Sequence, residues 1–67
     1  MYTSTINDNV LHELRNGEIA YDPSGKARAA VYGCNLILAC GNVQHNFHVE
    51  TSAQQLNQCW AILQELN

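Results

Sequence analysis

Residues 27–49 read ARAAVYGCNLILACGNVQHNFHV, and the turn chosen at each glycine sets which side chains share a face. Tyr32-Gly33-Cys34-Asn35 and Cys40-Gly41-Asn42-Val43 each suit a two-residue hairpin turn with glycine first. Those turns set Val31 opposite Leu36, Ala29 opposite Leu38 and Ala27 opposite Cys40; Cys40 then meets Val43, Leu38 meets His45 and Leu36 meets Phe47. Side chains alternate across a strand, so a slip of one residue would scatter the apolar positions over both faces. Instead one face comes out almost wholly apolar.

The pattern extends outward in both directions. Asp22-Pro23-Ser24-Gly25 has Asp first, Pro second and Gly fourth, as a type I turn prefers, which sets Tyr21 opposite Ala27 and adds Ile19 and Tyr21 to the apolar face, with Val49 at its far end. Gly17, Gly25, Gly33 and Gly41 recur at intervals of eight, one helix end and three hairpin turns. Before them, TINDNVLHELRNG brings Ile6, Val10, Leu11 and Leu14 onto one helical face, with Thr5 or Asn7 as the cap and Asn16-Gly17 as the left-handed end. Residues 1–4 read as a loose arm, with a short edge strand over Tyr2–Ile6 as the alternative. After the strands, TSAQQLNQCWAILQELN places Ala53, Leu56, Cys59, Trp60, Leu63 and Leu66 along one side of a helix capped by Ser52 with Gln55.

The expected fold is therefore a small α+β domain occupying residues 1–67: an N-terminal helix, a three- to four-stranded antiparallel meander, and a C-terminal amphipathic helix packed on one sheet face with Trp60 near the centre of the core. The apolar share of 46% is ample for one small core. A domain of this size buries only about 60% of the surface its unfolded chain exposes, so its stability margin is thin and a second copy would help it. A homodimer is the expected state.

Charge narrows the range of functions. Charged residues are 13% of the chain, the net charge is -3, and the cations are Arg15, Lys26 and Arg28. Nucleic-acid affinity rests on neutralising several phosphates, which disfavours such a chain. The order helix, strands, helix also occurs in double-stranded RNA-binding domains, yet where those carry a basic stretch at the start of the second helix this sequence has Thr51-Ser52-Ala53-Gln54-Gln55. Nucleic-acid binding stays as an alternative to protein binding. The N-terminus MYTSTINDN has no basic head leading an apolar run, so the reading is a cytoplasmic protein with no membrane partner. An odd cysteine count, Cys34, Cys40 and Cys59, fits reduced structural thiols.

Few side-chain groupings can carry chemistry. His45 and His48 lie three apart in a strand and point to opposite faces, so they cannot share a metal. Cys40, His45 and Cys59 converge on the inner face and define the metal-stabilised alternative, but zinc wants a fourth ligand and none is evident. Buried cysteine more often acts as a small hydrophobe. A cysteine nucleophile would need an exposed, base-assisted thiolate in a cleft, the acidic residues are scattered, with Asp8 and Glu13 on different faces of the first helix, and no glycine-rich phosphate loop is present. The sequence thus reads as a protein without catalytic residues, metal or cofactor.

What remains is the outer sheet face: Arg28, Ala30, Tyr32, Asn35, Ile37, Ala39, Gln44, Asn46 and His48. Its apolar middle, ringed by tyrosine and uncharged amides, has the anatomy of a protein-contact patch, with Tyr32, Ile37, Gln44, Asn46 and His48 as the binding residues. The competing arrangement folds the first helix over this face to make a third layer. At the level of class only, such a chain resembles the small accessory or inhibitor proteins that phages and plasmids encode.

Overall fold

In the computed structural model, which describes residues 1–66, the elements run α1 (Asp8–Arg15), β1 (Ala20–Tyr21), β2 (Ala27–Tyr32), β3 (Asn35–Cys40), β4 (Val43–His48) and α2 (Ala53–Glu65). The strands form one antiparallel sheet in the order β1-β2-β3-β4. The fold is the expected α+β arrangement, with α2 packed on the sheet.

Local chemistry sets both helices. The Asn7 side chain accepts from the Val10 N–H at 2.9 Å and opens α1. At its other end the Gly17 N–H reaches the Leu14 carbonyl (3.1 Å) and the Glu18 N–H the Glu13 carbonyl (3.0 Å), a Schellman stop with Gly17 at the left-handed position. Ser52 caps α2 by accepting from the Gln55 N–H at 3.3 Å.

The β2-β3-β4 register is the one read from the sequence, pair for pair. Gly33 (φ +63°) and Gly41 (φ +59°) occupy the left-handed region, while no described non-glycine residue does, so Cys34 and Asn42 have negative φ and both turns are type II′. The first turn differs. The Gly25 N–H does bond the Asp22 carbonyl (2.9 Å), but the Asp22 carboxylate also accepts from the N–H groups of Lys26 (2.9 Å) and Ala27 (3.0 Å). That grip shifts the pairing by one residue, with the Asp22 N–H on the Ala27 carbonyl at 3.0 Å, so Tyr21 faces Arg28 instead of Ala27 and Ala20 faces Ala29. One step of register exchanges the faces. Ala20 enters the core, whereas Ile19 and Tyr21, expected inside, turn to the other side, leaving Ile19 exposed and Tyr21 half-buried.

Both helices lie on the same face of the sheet. Val10, Leu11 and Leu14 of α1 join Leu56, Trp60 and Leu63 of α2 over Ala27, Ala29, Leu36 and Leu38 in a single core, so α1 does not make a third layer. Trp60 is fully buried. The helices lie chiefly over β2 and β3, and of β4 only Phe47 packs against the core. His45 consequently sits on the inner face by register, opposite Leu38, and still meets solvent. Leu66, expected on the core side of α2, caps that helix and is exposed.

Residues 1–4, expected as a loose arm, are tied down. Tyr2 makes a parallel bridge with Tyr21, flanked by Thr3 N–H to Tyr21 carbonyl (2.7 Å) and Tyr21 N–H to Met1 carbonyl (2.8 Å). From above, α2 holds the same segment: the Trp60 indole N–H donates to the Thr3 carbonyl (3.2 Å), the Gln64 amide to the Ser4 carbonyl (2.9 Å), and the Asn57 side-chain oxygen accepts from the Ile6 N–H (2.8 Å). Asn57 and Gln64, ordinary polar-face residues by sequence, are thus fastenings between the chain's two ends.

Candidate functional site

The face of the sheet away from the helices carries the candidate residues. Tyr32 pairs with Asn35, Asn35 with His48, Ile37 with Ala30 on one side and Asn46 on the other, and Ala39 with Arg28 and Gln44. Strand alternation therefore brings Tyr32, Ile37, Gln44, Asn46 and His48 to one surface. No helix covers it among the described residues.

Exposure follows side-chain length. Ala30 and Ala39 are buried although no helix covers this face among the described residues; Ile37 is half-buried and Tyr32 is 58% exposed. The Gln44 amide donates to the Asn46 side-chain oxygen (3.2 Å), linking two amides along β4. The His48 Nδ1 accepts from the Glu50 N–H (3.0 Å), which leaves Nε2 to carry the proton of the neutral ring and present it as a donor.

The register at the Asp22 turn adds two aromatic residues. Tyr21 shares the outer face with Arg28, and the Tyr2 ring stacks on it with centroids 5.6 Å apart at 31°. The sequence reading placed Tyr21 inside and Tyr2 in a loose arm. Recognising the aspartate's bonds to the two N–H groups that follow the turn would have found Tyr21; the edge-strand alternative for residues 2–6 pointed towards Tyr2, whose single bridge is all of that strand that forms.

The inner-face trio is not a metal centre. Cys40 is buried, His45 is exposed and Cys59 is half-buried, and no three His, Cys, Asp or Glu side chains come together as a metal site among the described residues. Burial pushes the Cys59 thiol above its ordinary pKa, opposite to what a nucleophile or a metal-ligating thiolate needs. The three cysteines form no disulfide.

Of the cations, Arg15 is held in the fold: its Nε and Nη2 donate to the Val49 carbonyl at 3.1 and 2.9 Å, tying the end of α1 to the loop after β4. No described helix is long and apolar enough to cross a membrane. No family model, curated protein or solved structure matches the chain.

Proposed function

We propose that this chain is a small non-enzymatic protein-binding domain, accessory or inhibitory in kind, that receives a partner protein on its open sheet face. The observation that carries the reading is the placing of both helices on one side, which leaves Tyr2, Tyr21, Tyr32 and Ile37 on a bare surface bordered by Asn35, Gln44, Asn46 and His48. Tyrosines on a rigid sheet bring large contact area with few rotors to freeze, and uncharged amides are desolvated at lower cost than carboxylates or ammonium groups. A nucleic-acid role has less behind it. Three cations are few for a phosphate-reading surface, and the Arg15 guanidinium is already bonded to Val49.

Co-purification from the native host, comparing the unaltered chain with Tyr32→Asp and Ile37→Asp, tests this. A charge at either position is expected to weaken the contact about tenfold or more while circular dichroism stays native. A partner retained in full by both folded variants would overturn the reading. So would a salt-sensitive nucleic-acid complex weakened by Lys26→Ala with Arg28→Ala.

A further inference from the structure

The two edges of the sheet are treated differently. Along β1, residues 1–3 cover the edge through the Tyr2–Tyr21 bridge and its flanking bonds. Along β4 no segment does so among the described residues.

The hydrogen-bond parity of β4 follows from one contact. The Val49 N–H bonds the Cys34 carbonyl at 2.9 Å, so each second residue back from Val49, namely Phe47, His45 and Val43, directs its backbone polar groups to β3. Gln44, Asn46 and His48 direct theirs outward. The His48 carbonyl accepts from the Thr51 N–H at 2.9 Å, whereas the N–H and carbonyl groups of Gln44 and Asn46 meet no partner among the described residues. Such an edge is a template for another strand, and folded proteins ordinarily blunt it with lysine, proline, a bulge or shortness. β4 has none of these. It runs six residues, VQHNFH, in unbroken register with β3 and with no Lys, Arg, Asp, Glu or Pro.

Apolar surface gathers at the turn end of the sheet, where β4 begins. Val43 (39% exposed) and Leu66 (58%) line one groove with Lys26, Cys40 and Gly41, and Ile62 (59%) lies one turn before Leu66 on the same flank of α2. The opposite flank of α2 is the one whose Asn57 and Gln64 hold residues 4–6. Exposed apolar side chains therefore sit beside open backbone donors and acceptors.

We propose that the β4 edge is a self-pairing seam, at which a second copy of this chain adds antiparallel about a two-fold axis through His45. The strand's own order selects a second copy as the occupant. In that register Gln44 pairs with Asn46 of the second copy and Asn46 with its Gln44, so the four open groups on each chain are satisfied reciprocally. The outer side aligns amide with amide. The inner side sets Val43 against Phe47 twice and His45 against its own copy on the axis, and no Lys, Arg, Asp or Glu of the strand enters the pairing. The product is one continuous sheet with the open face of each copy side by side and the exposed Ile62 and Leu66 flanks drawn toward the seam. This seam uses the backbone of β4 and stands independently of the side-chain contact proposed for the open face.

Sedimentation across concentration, together with amide hydrogen exchange at each concentration, tests the seam. The chain is expected to sediment as a dimer, with the Gln44 and Asn46 amides protected in the dimer and exchanging freely on dilution. Gln44→Pro removes an outward N–H without removing an intrachain bond, and is expected to weaken the dimer about tenfold or more, a loss of about 1.4 kcal/mol. A chain that stays monomeric at the highest concentration reached would overturn the proposal. A dimer in which the Gln44 and Asn46 amides exchange freely also overturns it, and this readout decides the matter if Gln44→Pro does not fold. A dimer lost with Tyr32→Asp but kept by Gln44→Pro would place self-association on the open face instead.

Discussion

Asp22 is the one buried charged side chain among the described residues, and its surroundings account for its ionisation. Burial alone raises its pKa, but the bonds from the Ala27 N–H, the Ser24 hydroxyl and the Lys26 and Ser24 N–H groups outweigh that and hold the carboxyl below the ordinary aspartate range. A lowered pKa in the folded state means that the unfolded chain takes up the proton first as acid is added. The stability Asp22 contributes is therefore full above the ordinary aspartate value of about 3.9 and is lost as pH falls below it. Asp22→Asn is expected to lower stability at neutral pH and to flatten the acid limb of a stability–pH curve, as measured by urea unfolding across pH. An unchanged acid limb would remove Asp22 from this role. The sequence marked Asp22 as a turn residue. Which backbone N–H groups its carboxylate takes, and hence the facing of Tyr21 and Ala20, depends on the loop closing in three dimensions.

At the scale of elements, the hairpins β2-β3 and β3-β4 were legible because a strand's period of two and a two-residue turn leave one register that segregates Ala27, Ala29, Leu36 and Leu38 from the polar side. Gly41 is the residue on which the second hairpin turns. A Cβ there would meet nothing within 4 Å, so the cost of Gly41→Ala lies in the left-handed backbone at φ +59°. The substitution is expected to destabilise the domain by about 1–2 kcal/mol in thermal or denaturant unfolding. A neutral result would mean that the turn can change type at no cost. The helices were legible from caps and spacing, with Leu56, Trp60 and Leu63 buried as read. Arg15 was not: its bonds to Val49 join residues far apart in the chain.

For the molecule as a whole, size sets the terms. A 67-residue domain at roughly 0.05–0.15 kcal/mol per residue has only about 3–10 kcal/mol of stability. Association that belongs to the folded state alone adds to that margin by mass action. With the β4 seam formed, the denaturation midpoint is expected to rise with protein concentration, and with Gln44→Pro that rise is expected to move to concentrations about tenfold higher or more. Unfolding curves at two well-separated concentrations check both statements.

The amino-acid order alone was enough for the element types, the β2-β3-β4 register, the apolar face of those strands and the grouping of Tyr32, Ile37, Gln44, Asn46 and His48, because each rests on periodicity and turn chemistry within a few residues. Tertiary packing decided the rest. It laid both helices on one side, which kept the outer face open; it brought only Phe47 of β4 under their cover, leaving His45 and Val43 in solvent; and it drew residues 1–4 beneath α2 against β1, guarding one sheet edge and not the other. The physical reason is that a helix's apolar stripe says that it must be covered without saying by which surface. The bonds that settle the matter, such as Trp60 to Thr3 and Asn57 to Ile6, span more than fifty residues and leave no local pattern.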